Sequence, residues 1–177
     1  MNKKLKFILI YSAVIVTGIL LDQFTKILME DILANGTKIN VLGSWLTFHW
    51  TINYGASFGM MYGQNWLFFA ITVAGLPFFG YMLWRARTRS LFSKLGFAFA
   101  ISGTIGNAID RAFLGTGFFN GGVRDFISVQ GFAIFNVADS FLVVGVIMAV
   151  LGLVFFDYDA VTKPQIEDKN EENGNDN

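Results

Sequence analysis

Four apolar runs, each approaching the length that crosses a bilayer, constrain this chain more than any other feature. They cover roughly residues 7–26, 66–84, 91–110 and 134–156, against a need of about 20 residues for ~30 Å of hydrocarbon. With 54% hydrophobic residues and a mean hydropathy of +0.51, the 177-residue chain is too apolar for an ordinary soluble domain. The expectation is a mainly α, polytopic membrane protein with four transmembrane helices. Lys3, Lys4 and Lys6 ahead of the first run look like the start of a secretory signal. Asp22, Gln23 and Lys26 close that run with no clear small-x-small cleavage site, so it reads as a retained anchor.

The basic residues are unevenly distributed about these runs. Lys3, Lys4, Lys6, Arg85, Arg87, Arg89, Lys94, Lys163 and Lys169 fall on one side, and only Lys26, Lys38, Arg111 and Arg124 on the other. By the positive-inside rule both termini are cytoplasmic and the two longer loops face outward. In the first of those loops, Ile27 to Leu33 is expected to lie along the interface as a short helix. A β segment over about 38–62 follows, where Thr47, His49 and Thr51 alternate with Leu46, Phe48, Trp50 and Ile52. A small sheet or hairpin resting on the outer leaflet is expected, with Trp45, Trp50 and Trp66 at the interface. The second outer loop, Arg111 to Gly131, is glycine-rich and reads as a bending loop. Residues 1–159 form one membrane domain, and the polar tail 160–177 is expected to be disordered and cytoplasmic.

Without cysteine, thiolate chemistry and disulfides are unavailable, and one histidine, His49, excludes an imidazole-rich metal centre. No metal, cofactor or nucleic-acid partner is expected. Carboxylates are the main chemistry left, and an acid at the edge of an apolar span is a candidate functional group. Four polar clusters gather at the outward ends of spans or in the outer loops. Asp22 and Lys26 are four apart on one helical face, spaced for a helix-end ion pair with Lys26 snorkelling to the surface. Asn53 and Gly55 make a turn that lets a backbone approach closely. Asn107, Asp110 and Arg111 end the third run, with Gly103 and Gly106 allowing close helix packing. The fourth cluster joins Asp125, in the loop returning to the membrane, to Asn136 and Asp139 at the head of the last run. Asp139 is also placed to cap a helix or to pair with Arg111, but capping does not explain so many converging polar groups.

Two carboxylates close enough to share a proton can hydrolyse a peptide without a metal, serine or cysteine. Like charges about 3 Å apart cannot both ionise, so one acid stays protonated while the other acts as a base. The base takes a proton from attacking water, and the acid stabilises the developing oxyanion.

In order, Asp22-Gln23 with Lys26, Asn53-x-Gly55-Ala56-x-Phe58, Gly106-Asn107-x-x-Asp110-Arg111, Val123-x-Asp125-Phe126 and Phe135-Asn136-x-Ala138-Asp139 resemble the five sequence blocks of the lipoprotein signal peptidases. These signal peptidase II enzymes are the membrane aspartyl peptidases of bacteria. The resemblance covers nearly the whole membrane part. It implies that Asp125 and Asp139 are the catalytic pair, and that Asn53, Gly55, Asn107, Arg111 and Asn136 line the site, with Asp22, Lys26 and Asp110 in support. It also implies that the β segment cradles the substrate, a diacylglyceryl-modified prolipoprotein cut on the N-terminal side of its lipidated cysteine. The setting it implies is the bacterial cytoplasmic (inner) membrane, with the site near the extracytoplasmic face; action as a monomer among membrane lipids is expected. Two departures stand out: Ser57 where alanine is common, and a longer loop, Phe118 to Gly122, before Asp125. Two readings from other classes compete, a small proton- or ion-coupled carrier and a lipid-binding scaffold. The charged groups gather at one membrane face and leave no polar path across it, which counts against the carrier.

Overall fold

The computed structural model describes residues 2–55, 65–115 and 121–157. Four long helices carry a three-stranded sheet at one end. In chain order the elements are α1 (Lys3–Ile32), β1 (Lys38–Leu42), β2 (Leu46–Asn53), α2 (Asn65–Arg85), α3 (Leu91–Phe113), β3 (Val123–Val129) and α4 (Val137–Leu151), the last continuing as a π-helical turn over Gly152–Phe156. The sheet is antiparallel in the order β1-β2-β3.

Three of the helices have an identifiable reason to begin. Asn2 caps α1, Ser90 caps α3, and at α4 Asn136 and Asp139 form a reciprocal capping box. α3 is the buried centre and packs most extensively against α4. Gly103 and Gly106 permit that approach: a Cβ on Gly103 would collide with the Ala138 carbonyl, and one on Gly106 would lie 3.0 Å from the Ala138 Cβ and 2.6 Å from Asp22 Oδ2 of α1. The apolar core, including Tyr11, Leu83, Phe97 and Ile101, sits towards the end away from the sheet. Outward-facing Leu20, Val143 and Ile147 are exposed, as suits side chains that meet lipid.

By length and composition, α1 and the α4 segment Val137–Phe156 are apolar enough to cross a membrane. α3 turns Asp110 and Arg111 inward and presents Asn107 to the cavity at the sheet end.

The structure corrects two expectations. Ile27 to Leu33 is not a separate interfacial helix, because α1 runs unbroken to Ile32 and stops at a single 3-10 turn in which Asn35 takes a left-handed φ of 61°. The loop expected around Asp125 is strand β3. Its pattern of Val123, Phe126, Ile127 and Val129 suits a strand, and it pairs with β2 from Asn53↔Val123 to Leu46↔Val129. The hairpin expected over 38–62 is present as β1 and β2. Ala56, Ser57, Phe58, the far end of that segment, the loop at 118–120 and the tail lie outside the described residues, as does the Trp66 side chain.

Candidate active site

β3 delivers Asp125 to the site because strand side chains alternate. Val123 and Asp125 face one way, and Arg124 faces the other, towards α1 and α3. Backbone bonds from Phe126 and Ile127 to the Phe135 carbonyl tie the strand to the segment leading into α4. The same segment then supplies Asn136 and Asp139, so the two aspartates arrive on adjoining pieces of backbone.

Two asparagines join them. Asn136 Nδ2 donates to Asp125 Oδ1 at 2.7 Å, and its backbone N–H donates to Asp139 Oδ2 at 3.1 Å. Asn107 Nδ2 donates to the other Asp139 oxygen at 2.7 Å, while its Oδ1 accepts from Asn136 Nδ2 at 3.0 Å. Asn53 Nδ2 donates to Asp125 Oδ2 at 3.0 Å, and its own Oδ1 accepts the Gly55 N–H at 2.9 Å, which sets the amide's orientation. Burial first, and then the charge of Asp139, lift the Asp125 carboxyl to about 7 against the Asn53 and Asn136 bonds and the Lys26 ammonium, which pull the other way.

Both aspartates face a cavity of about 420 Å³. Asn53, Gly55, Asn107 and Arg111 share its polar wall, and Phe68, Ile71 and Phe79 of α2 give it an apolar one. Arg111 donates to the Gly55 carbonyl at 3.2 Å and lies over the Phe68 ring, 4.7 Å from its centroid. A peptide bond entering here would meet two carboxyls, a guanidinium and amide donors on one side and hydrocarbon on the other.

Asp22, Lys26 and Asp110 lie behind this cavity and are wholly buried. Lys26 Nζ meets Asp22 Oδ2 at 2.9 Å, Asp110 Oδ2 at 3.1 Å and Asn107 Oδ1 at 3.0 Å, three acceptors for its three N–H groups. The ion pair expected from the i,i+4 spacing is therefore present, but Lys26 does not snorkel. Its ammonium turns inward because two carboxylates and an amide wait there. Asp22 Oδ1 accepts the Ala138 N–H at 2.8 Å, so a residue of α1 helps to satisfy the N-terminus of α4. Asp139 caps its own helix as the sequence allowed, and it faces the cavity as well.

Sequence reasoning missed two participants. Gln23 donates to the Gly106 carbonyl at 3.1 Å and to Asp22 at 3.0 Å. Arg124 binds Asp110 through NH2 at 2.7 Å and Nε at 3.3 Å, and reaches Gln23 Oε1 at 2.8 Å. Reading 123–129 as a strand would have turned Arg124 inward, where a cation needs a carboxylate.

The sequence model of the family described as Signal peptidase (SPase) II matches residues 14–155. A lipoprotein signal peptidase of Mycobacterium leprae is 33% identical over 93% of this chain and 80% of its own, and one of Lactiplantibacillus plantarum is 35% identical over 82% and 94%. That of Bifidobacterium adolescentis is 37% identical over 80% and 74%. Among solved structures, a bacterial membrane enzyme at 2.3 Å resolution superposes with a TM-score of 0.71 at 29% identity, covering 91% of this chain and 95% of the other. These likenesses give no support to a carrier or a scaffold. A fold and a sequence that agree over most of their length lead to one conclusion: the chain belongs to the signal peptidase II family.

Proposed function

We propose that this enzyme removes signal peptides from lipoprotein precursors with Asp125 and Asp139 as its catalytic pair. Peptide hydrolysis of precursors follows from family membership; the residue roles rest on the site. The observation that carries them is two carboxyl groups facing one cavity, cross-linked through Asn107 and Asn136, with Asp125 raised to about 7.

Charge supports a shared proton. Around the site stand the carboxylates of Asp22, Asp110, Asp125 and Asp139 and the cations of Lys26, Arg111 and Arg124. Setting aside Glu30, whose exposed carboxylate meets Arg124 from the solvent side, the seven carry one excess negative charge if all are ionised, and a single proton on the pair makes them neutral. Buried sites favour the neutral arrangement.

The ionised aspartate takes a proton from water as the water oxygen attacks the scissile carbonyl. The protonated aspartate passes its proton to the carbonyl oxygen, giving a neutral gem-diol. When the C–N bond breaks, a gem-diol hydroxyl proton returns to the pair and the leaving nitrogen takes one, regenerating the singly protonated state. The base is not assigned to one aspartate, because such a pair titrates as a unit. Asn53, Asn107 and Asn136 hold the carboxyls in place, and Arg111 and the Gly55 turn position the substrate.

The proposal includes four spans. α2 carries no Asp, Glu, Lys, Arg or His between Leu67 and Trp84, and α3 turns Asp110 and Arg111 into the bundle. Phe7 of α1 and Trp84 of α2 meet at 6.3 Å, which puts Lys3, Lys4, Lys6 and Arg85 to Arg89 at one end. The dyad and sheet stand at the opposite end, so positive-inside orientation makes the site extracytoplasmic in a bacterial cytoplasmic membrane. A lipidated precursor can then keep its signal helix in the bilayer while its cleavage point reaches the dyad, with cleavage N-terminal to the diacylglyceryl cysteine. The enzyme acts as a monomer, among lipids, on this reading.

The test is cleavage of a diacylglyceryl-modified precursor and of its unmodified counterpart in lipid. Preferential cleavage of the modified precursor at the bond before the cysteine is expected. Equal cleavage of both would remove the role given to the lipid.

A further inference from the structure

Arg124 neighbours Asp125 in the chain but belongs to a different environment. Its side chain leaves the opposite face of β3 and is almost completely buried, and it forms no part of the cavity wall. Its backbone N–H donates to Asp110 Oδ2 at 3.0 Å, and Nε and NH2 engage the two oxygens of the same carboxylate at 3.3 and 2.7 Å. NH2 also reaches Gln23 Oε1 at 2.8 Å, and NH1 lies 3.6 Å from Glu30 at the outer end of α1. The Arg124 carbonyl accepts from Asn136 Nδ2 at 3.2 Å, the same amide nitrogen that donates to Asp125.

These contacts bind β3 to α1, α3 and the head of α4 through one residue. Asp110 is itself fixed by Lys26. A planar guanidinium can satisfy both Asp110 oxygens and Gln23 together, whereas an ammonium is a point charge on a flexible stem. We propose that Arg124 is a positioning residue for the dyad, clamping β3 to Asp110 and seating the Asn136 amide so that Asp125 is held against Asp139.

This inference rests on the peptidase reading, and the two predict separable results. Because Arg124 touches the back of the site and not the cavity, its loss should leave substrate binding intact and misplace the reacting groups. Small misplacements of catalytic groups are costly, by up to about 100-fold for 1 Å. Wild type, Arg124→Gln, Arg124→Lys and Asp125→Asn are compared on a lipidated precursor in detergent, with melting followed for each.

The expected result is a kcat lower by about ten-fold or more for Arg124→Gln with KM within about two-fold of wild type. Arg124→Lys should be intermediate, retaining the charge and losing the fork. If Arg124→Gln does not fold, Arg124→Lys carries the test through the same separation of kcat from KM. Wild-type kcat in a folded Arg124→Gln or Arg124→Lys, beside an inactive Asp125→Asn, overturns the positioning role and leaves the peptidase reading standing. A rise in KM with kcat unchanged overturns it too, by making Arg124 a binding residue. Activity retained by Asp125→Asn instead removes the dyad that Arg124 is said to position.

Discussion

Asp157 and Asp125 are both buried carboxyls at the ends of the helical bundle, and they are used in opposite ways. Asp157, just past the π-helical turn, accepts the Ser90 N–H at 3.0 Å, the Ser90 hydroxyl at 2.7 Å and the Ser93 hydroxyl at 2.6 Å. Burial pushes its carboxyl up, but the Ser93 and Ser90 bonds outweigh that and hold it below the ordinary carboxylate range. It closes α4 onto the N-terminus of α3. Asp125 also accepts two hydrogen bonds, yet both come from neutral amides, a second carboxyl shares its surroundings, and a cavity opens beside it. There burial wins and the group rises to about 7. Burial alone therefore does not mark a catalytic acid. What separates the two is whether the neighbours are arranged to stabilise the charge or to leave it in contest.

The largest test of that contrast is chemical. Asp125→Asn and Asp139→Asn should each lower the rate of precursor cleavage by at least about 10³-fold in folded protein, since each removes an acid–base partner. Asp157→Asn should leave the rate per folded molecule unchanged. A comparable loss in Asp157→Asn would erase the distinction between the two ends.

The next effect is on stability. Lys26→Met would leave Asp22 and Asp110 facing each other without their common cation, and breaking a buried ion pair from one side costs about 3–5 kcal/mol. Thermal unfolding in detergent should show this as a large drop in the melting midpoint. A near-wild-type midpoint would mean that the network behind the dyad does not hold the helices together.

A pH series sharpens the comparison by sign. With a folded value near 7 against an ordinary 3.8, Asp125 keeps a proton in the folded state that the unfolded chain has already lost. Its contribution therefore makes stability fall as pH rises from about 4 to about 7 and level off above that. Asp157 works the other way: its stabilisation is present above the unfolded carboxylate value and is lost as pH falls through its lower folded value. Between pH 5 and 8 the wild-type melting midpoint should decline, and Asp125→Asn should flatten that decline. An equally steep decline in the variant would show that another group is responsible.

Much of this was legible in the sequence because the constraints were local. The apolar runs gave the helices, alternation gave the β1–β2 hairpin, and five ordered blocks gave the ten candidate residues, six of which line the cavity while Asn136 braces both aspartates. Long-range consequences were not legible. β3 lies between glycine-rich segments that read as a bending loop, and its partner is β2, about 75 residues earlier in the chain. Lys26 was read as snorkelling because nothing in its own helix announces Asp110 and Asn107, which arrive from α3. Nothing local assigns Gln23 or Arg124 to the site, for the same reason. Nor does the spacing of Ser90 and Ser93 show that a carboxylate from the far end of α4 will cover them.

That last contact yields the smallest effect. Ser93→Ala removes one hydroxyl donor from Asp157 and leaves the Ser90 N–H and hydroxyl in place, so the carboxylate stays bound and α3 stays capped. A hydrogen bond to a charged group contributes about 1.5–3 kcal/mol, and partial compensation by Ser90 places the expected loss at the lower end of that range. The Asp157 carboxyl should also rise towards its ordinary value, because Ser93 supplies the foremost of the bonds that hold it down. The acid-side loss of stability should then be smaller and end at a higher pH in Ser93→Ala than in wild type, while the decline through neutral pH, which belongs to Asp125, keeps its position. Movement of both limbs together would mean that the two ends of the bundle are coupled through α3. Movement of the acid limb alone would mean that the structural carboxylate and the catalytic one titrate independently along the same pair of packed helices.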